Sequence, residues 1–413
     1  VPRPTLPDRD LPARVEVLVI GSGYTGLNAA LVTARGGRDT LVIDAEDAGF
    51  GCSTRNGGQI STSIKPSYEK LAARFGPDLA FRIKREGFQS REWVEELVRR
   101  EAIDCDFRVS GRFHGAHNPA QYEALARQLA NQPKGLEQPF HMVPRAEQHR
   151  ELGTDAYFGG AVFAAHAGVD PARLHQGLLE RVQEAGAAVV PHTRATRIER
   201  DGSGFRVTTN RGTVTARDVV VATNGYTEGV TPWLKRRVIP IGSYIIATEE
   251  IPADLLAKLF PVRRVLGDTR RLVYYYRVTP DGRRVLFGGR VSLTETDPLV
   301  SGPLLRAELV RLFPELAPYR ISHSWCGLVA YTFDELMHCG RHDGVWYAMG
   351  YCGSGVGMAN YLGMRIGQQV LGLAEGRTAF DELRFQTRPL YTGRPWFLAP
   401  SIRYYRWMDS RPI

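Results

Sequence analysis

The apolar positions of the chain change period several times, and those changes mark its elements. Residues 15–20, Val-Glu-Val-Leu-Val-Ile, are a short β-branched run that predicts a buried strand. A helical stretch follows from Leu27 to Arg35. A second apolar run, Thr40 to Ile43, ends at Asp44, completing a β-α-β pattern. A charged helical pattern covers 66–100, and 119–132 and 171–186 predict two more helices. The last has Asp170 as a cap, Pro171 in its first turn and Gly186 as its stop. Short strands are expected at Val189-Val190, Ala195–Glu199, Phe205–Thr208 and Val214-Thr215. Val219 to Ala222 is apolar throughout, as in a strand covered on both faces. From about 232 to 325 the pattern turns strand-like at Ile241–Thr248, Leu272–Val278 and Arg284–Gly289, with Pro280-Asp281-Gly282 as a hairpin turn. A strand over Val345–Gly350 and a helix over Met358–Leu371 close the pattern, which is that of an α/β protein with an insertion.

Three glycine-rich segments carry the candidate chemistry. Gly21-Ser22-Gly23-Tyr24-Thr25-Gly26 sits between strand and helix, the context that makes G-x-G-x-x-G a dinucleotide fingerprint. Gly21 permits the turn, Gly23 lets backbone approach a pyrophosphate, and Gly26 lets helix and strand pack closely. The helix start at Tyr24 and Thr25 offers N–H groups and a favourable dipole. Asp44, followed by Ala45, is placed to accept from ribose hydroxyls and would repel a 2′-phosphate. NAD and FAD fit this fingerprint equally, and a bare glycine turn is its structural alternative. A second segment, Gly49-Phe50-Gly51-Cys52-Ser53-Thr54-Arg55-Asn56-Gly57-Gly58-Gln59, can wrap a pyrophosphate and offers Arg55 as a charged contact. The third, Gly353-Ser354-Gly355-Val356-Gly357, opens the last helix, whose N-terminus favours negative charge.

Taken together, GSGYTG, IDAE and GCSTRNGGQIS resemble the glycine/D-amino-acid-oxidase superfamily of FAD enzymes. RNGGQ is most similar to its γ-glutamylputrescine-oxidase-like branch. The resemblance implies a Rossmann-like FAD-binding domain from 1–80, 161–230 and 326–385. An inserted α+β substrate-binding domain on a mainly antiparallel sheet would come from 81–160 and 231–325, with 386–413 as a tail. It also implies backbone contacts to adenine around Thr193 to Thr196, Ala195 among them, and a turn at Thr223-Asn224-Gly225 beside the cofactor. Family members with covalent flavin carry the linking cysteine at a position that falls here on Gly327, one beyond Cys326. FAD is therefore expected to bind non-covalently, with Cys326 a buried free thiol. The implied reaction is hydride transfer from an amine-bearing carbon to flavin N5, giving an imine that hydrolyses. Oxygen is the expected acceptor and hydrogen peroxide the product. A dehydrogenase serving a quinone or carrier, and a non-catalytic flavin-binding module, are the alternatives.

Composition narrows the partners. The chain has 413 residues, 43% of them hydrophobic, enough for about two or three domains with real cores. Five cysteines without a CxxC pair argue against a disulfide scaffold and for a reducing, cytoplasmic setting. No apolar run reaches the roughly 18 residues a transmembrane helix needs. The +9 formal charge is carried by arginines spread along the chain, without a basic stripe, so nucleic acid is not an expected partner and a carboxylated substrate is mildly favoured. No metal is expected, and oligomeric state stays open.

The expected partners are therefore a small amine or amino acid and an electron acceptor. Tyr274, Tyr275 and Tyr276 alternate faces, and a hydroxyl facing the flavin could bind a carboxylate or steer an amine. Tyr276, His323, Tyr331 and Lys65 are the catalytic candidates; Tyr274, Arg277 and Arg290 are candidates for substrate binding, since a guanidinium grips a carboxylate with paired donors. Core packing is the alternative for the tyrosines, a core or surface site for His323, and a solvated surface for Lys65 and the arginines.

Overall fold

Strand Arg14–Ile20 lies at the centre of the first sheet, paired in parallel with Thr40–Ile43 on one side and Gly212–Val221 on the other. Ala188–Val190 and Val345–Met349 extend this parallel sheet outward. His338–His342 closes one edge antiparallel, and the ribbon Ala195–Asp201 and Gly204–Thr209 is appended to Gly212–Val221. The computed structural model describes residues 6–410; residues 1–5 of the expected cofactor domain and 411–413 of the expected tail lie outside the described residues.

Side chains of the central strand alternate between two cores. Val17 and Val19 join the helix-covered core with Leu27, Leu31, Leu178 and Leu362, whereas Leu18 and Ile20 join Leu41, Phe205 and Val214 on the other face. Because the strands are parallel, the chain leaves several of them at one edge. Segments 21–26, 44–46, 222–226 and 350–355 all emerge there, the crevice in which open α/β sheets bind ligands.

The second sheet runs in the order Ile321–Tyr331, Ile239–Thr248, Val285–Gly289, Tyr275–Val278, Val265–Asp268, Arg112–Gly115, Gly160–Phe163, Phe140–Val143. Every junction is antiparallel except one, where Arg112–Gly115 pairs in parallel with Val265–Asp268. The sheet is therefore mixed: the two halves of the inserted domain meet at that junction.

Several expected boundaries move. Strand Ile321–Tyr331 pairs with Ile239–Thr248 over its whole length, so 326–331 belong to the substrate sheet rather than to the cofactor domain. Gly160–Phe163 carries the same sheet past 160. Helix Pro77–Arg100 instead packs Ala80, Ile83, Val94 and Leu97 into the core of the cofactor domain, so 81–100 leave the substrate domain. The single helical pattern over 66–100 is two helices, Tyr68–Phe75 and Pro77–Arg100, broken at Gly76, whose φ of 85° only glycine adopts without strain. Among the described residues no helix is long and apolar enough to cross a membrane.

The helices behind the glycine segments are clamped together. Tyr24–Arg35 crosses Gly355–Val370 where Gly363 and Gly367 leave room; a Cβ on Gly367 would sit 2.9 Å from the Ala29 carbonyl oxygen. Asn28 donates to Asn360 Oδ1 at 2.7 Å, and the Thr25 and Tyr351 hydroxyls lie 2.6 Å apart. Packing thus fixes both helix N-termini relative to each other.

Glu86 in Pro77–Arg100 gives a measurable consequence of this packing. One carboxylate oxygen accepts from the Ala379 N–H, the other has no partner, and burial pushes its pKa up to about 7. The folded protein then holds a proton between about pH 4.5 and 7 that the unfolded chain releases, so stability from this group falls as pH rises through that window. Glu86→Gln is expected to match the parent at pH 5 and exceed it at pH 8 by on the order of 2 kcal/mol in urea unfolding.

Candidate active site

Both glycine loops open on one cavity of about 1450 Å³, which runs from the parallel-sheet edge to the substrate sheet. The first loop is built tightly. Gly21 has φ 105°, and a Cβ there would come within 2.9 Å of the Ala222 carbonyl oxygen. Gly26 faces that loop's own backbone, where any Cβ would collide with the Gly21 carbonyl oxygen. Helices Tyr24–Arg35 and Gly355–Val370 start at Gly23 and Ser354 with no side-chain cap and no acid in the first turn. Their N-terminal ends are thus left for an anion or an electron-rich ring edge.

At one end of the cavity Asp44 accepts from the Ser22 N–H at 2.8 Å, the Ser22 hydroxyl at 2.6 Å and the Glu46 N–H at 3.1 Å. Burial raises its pKa, opposed by those donors. Ala45 and Ala195 line the wall nearby, and Arg194 bridges Glu46 and Glu228 at 3.0 and 2.9 Å across the rim. Thr223, Asn224 and Gly225 line the opposite wall, Asn224 with φ 44° and its Oδ1 accepting from the Gly350 N–H at 2.9 Å. Gly353, Ser354, Gly355 and Val356 complete that side.

The 49–59 segment folds over this floor as the short helix Cys52–Arg55 and a turn. Ser53 Oγ accepts from the Tyr24 N–H at 3.0 Å, tying one loop to the other. Asn56 holds the helix end, donating to the Cys52 and Ser53 carbonyls and accepting from the Gly58 N–H. Arg55 lines the cavity with its guanidinium 3.9 Å from the Phe50 ring centroid. Gln59 is spent on positioning: its amide donates to the Leu266 and Tyr276 carbonyls and its oxygen accepts from Arg112.

Four expected cofactor contacts lie off the cavity. Gly26 and Gly357 serve helix packing, the latter against Ser90. Gly58 packs on the Val169 carbonyl. Thr54 faces a separate outer depression and donates to the Gly49 carbonyl.

The substrate end brings together Lys65, Tyr331 and Arg290 from the sequence candidates. The Lys65 ammonium sits 4.7 Å from the Tyr331 ring centroid. Enclosure by the walls works to lower its pKa, but Tyr331 and Glu335 outweigh that and hold it raised, so this lysine stays cationic at neutral pH. Arg290 is buried, with Nη1 donating to the Gly242 carbonyl and to Glu295, both at 2.8 Å. Its Nε and Nη2 have no partner.

The other four candidates are corrected by their surroundings. Tyr276 points away from the cavity, packed between Phe287 and Phe313 with its hydroxyl on Tyr157 at 3.1 Å. Tyr274 stacks half-buried on Phe287 on that same side. Arg277 is buried behind the loop and donates to the Val169 carbonyl at 2.8 Å. His323 is exposed on the outer strand beside Ser322.

The tyrosine that reaches the cavity is Tyr275, its hydroxyl 2.7 Å from Ser243 Oγ. A legible signal was the bare pair Gly288-Gly289 in the neighbouring strand: any Cβ on Gly288 would strike the Tyr275 ring, and one on Gly57 would lie 3.0 Å from it. Tyr275→Phe is expected to lower kcat/KM about tenfold with little change in Tm. Tyr276→Phe should do the reverse, losing about 1 kcal/mol of stability at unchanged KM. Steady-state kinetics and thermal melts on the two variants check this.

A family model described as FAD dependent oxidoreductase, DAO, matches residues 16–369. The chain belongs to that family. It is 32% identical to the γ-glutamylputrescine oxidoreductase of Escherichia coli strain K12 over 397 residues, 95% of this chain and 92% of that one. Glycine oxidase from Geobacillus kaustophilus superposes with a TM-score of 0.75 at 20% identity, covering 92% of this chain and 99% of that one. L-proline dehydrogenase from P. horikoshii gives 0.72 at 18%, covering 95% and 99%. The DAO fold therefore accounts for nearly the whole described chain, and FAD is the cofactor it implies. The fit lies in this structure's own features: glycine positions that admit no Cβ, two helix N-termini on one cavity with no cap from their own N-cap side chains, and an acid, Asp44, just past the second strand at the cavity end.

Proposed function

We propose that the protein oxidises the C–N bond of a primary or secondary amine that carries a carboxylate, with non-covalently held FAD and oxygen as the acceptor. The observation that carries this reading is Arg290, a buried guanidinium on the cavity wall with two nitrogens unpartnered. Both nitrogens are closed off from the cavity, so a carboxylate would reach them as the wall at Arg290 opens on binding, and its paired oxygens match their geometry. The relatives support it: γ-glutamylputrescine, glycine and L-proline, for which they are named, are all amines bearing a carboxylate.

Bound FAD would supply the two-electron acceptor, with N5 taking the hydride from the carbon next to nitrogen. The chain's residues bind and orient. Arg290 holds the carboxylate, Tyr275 and Ser243 line the path beside it, and Lys65 on Tyr331 keeps a fixed positive charge at the cavity wall. Asp334 is not a free base. Burial alone would raise its pKa, but hydrogen bonds from His338, Leu336 and Thr332 hold it low and engaged. Asp334 is therefore not placed to abstract a proton from carbon, in keeping with hydride transfer from a neutral amine.

Non-covalent binding rests on strand alternation. Gly327 faces the cavity and carries no side chain, whereas Cys326 packs with the substrate-domain core. Cys52 and Cys352 do border the cavity, but burial pushes both thiols up to about 12, leaving them protonated and poorly nucleophilic. Acid precipitation of the yellow protein is expected to leave all the flavin in the supernatant; flavin fluorescence retained on the denatured chain would contradict this.

An oxygen electrode tests the acceptor. Oxygen uptake with peroxide formation on adding a carboxylated amine supports the oxidase. Turnover only with a quinone or dye in place of oxygen would instead make it a dehydrogenase.

A further inference from the structure

Within the expected tail, residues Leu398–Ser410 form a helix, and this helix borders the same cavity. Its two ends are fastened to different segments of the chain. At the start, Phe397 packs on Phe333 and Tyr391, with ring centroids 6.2 and 5.9 Å away. Towards its end, the Asp409 carboxylate accepts from the Arg271 and Leu272 N–H groups at 3.0 and 3.2 Å, and Arg406 donates to the Val291 carbonyl. The segments so joined are themselves cavity walls: Phe333 follows the strand that ends at Tyr331, and Arg271, Leu272 and Arg290 lie at the substrate end. A helix of 13 residues is about 20 Å long.

The face it turns to the cavity is mainly apolar: Leu398, Ile402 and Tyr405 line the cavity with Ser401, Ile402 at 2% exposure and Tyr405 at 39%, whereas Arg403, Tyr404 and Trp407 are exposed and do not line it. We infer that this helix is the outer wall of the substrate site, and that Leu398, Ile402 and Tyr405 select amines with an aliphatic chain over compact ones such as glycine. The substrate part of this inference rests on the amine-oxidising reading above; the wall itself does not. A charged group at one end would meet Arg290, and the chain between would lie on the apolar face, where each buried methylene contributes about 0.8 kcal/mol, close to fourfold in kcat/KM.

The test uses FAD-loaded full-length protein and three variants: Ile402→Trp, which fills the inner face, Asp409→Ala, which releases the anchor, and Tyr404→Ala on the outer face. The first readout is quenching of flavin fluorescence by iodide at constant high ionic strength. Asp409→Ala should raise the quenching constant about threefold, Ile402→Trp should lower it, and Tyr404→Ala should leave it as in the parent. The second is the ratio of kcat/KM for norleucine over alanine, and for their N-methyl derivatives. It should exceed about tenfold in the parent, as three methylenes predict, fall in Asp409→Ala and Ile402→Trp, and hold in Tyr404→Ala. Equal quenching in all four proteins would overturn the wall. A ratio near one in the parent, or one that no variant moves, would overturn the selectivity. If no amine reduces the flavin of the parent, the proposed function fails, and the iodide series still decides the wall.

Discussion

Gly23→Asp is expected to yield a colourless protein that melts no lower than the apoprotein of the parent. Gly23 is the N-cap of Tyr24–Arg35 and has φ −72° and ψ −177°, extended backbone that aspartate adopts readily. A carboxylate there would cap the open N–H groups and complement the helix dipole, so the fold gains what an ordinary cap contributes, about 1 kcal/mol. It would also occupy the place of the cofactor phosphates and repel them. Its Cβ would come within 2.9 Å of Ser53 Oγ, which would then have to leave the Tyr24 N–H it accepts from. Losing two charge-assisted hydrogen bonds costs about 3–6 kcal/mol, a rise of at least a hundredfold in the FAD dissociation constant. Equilibrium titration of apoprotein with FAD, followed by flavin fluorescence, measures it. An unchanged constant in a folded variant would show that this loop does not cradle the phosphates.

Arg290→Gln should have the largest effect on turnover. The arginine uses one nitrogen on Gly242 and Glu295 and leaves two buried without a partner. Glu295 would not be orphaned by the change, since it also accepts from the Gly242 N–H and the Tyr244 hydroxyl, each at 3.0 Å. Stability and the flavin spectrum should therefore stay close to the parent. With a carboxylated amine, kcat/KM is expected to fall about 100- to 1000-fold; with the same amine lacking its carboxylate, about threefold at most. Equal losses for both substrates would place Arg290 in the scaffold and remove the support for a carboxylate.

How far the sequence could be read depended on whether a feature is local. The fingerprint 21–26, the acid at 44 and the helix opened by Gly355 declare themselves because strand, turn and helix are contiguous, and each glycine answers a backbone constraint within a few residues or across one strand pair. The substrate face was harder. One residue of strand register decides between Tyr275 in the cavity and Tyr276 in the core, and alternation alone says which tyrosines share a face, never which face is which. Arg277 and Arg290 look alike in sequence; they differ because one packs on the Val169 carbonyl of a distant segment behind the loop, and the other, held by Gly242 and Glu295, lines the cavity. The closing helix was illegible for a similar reason. Its arginines and aromatics show no clean amphipathic period, and what fixes it is contact with 271–272, 291 and 333, none of them near it in the chain. The boundary at 326 failed because strand Ile321–Tyr331 continues an antiparallel ladder through the place where the family pattern was expected to switch domains.

An enzyme that oxidises a carboxylated amine must let that amine reduce its bound flavin. The direct measurement is an anaerobic visible spectrum of the FAD-loaded protein titrated with carboxylated primary and secondary amines. The expected result is loss of the oxidised flavin band near about 450 nm with at least one of them, and no comparable loss with its decarboxylated counterpart. A protein that binds FAD yet keeps that band unchanged with every amine would contradict the central claim.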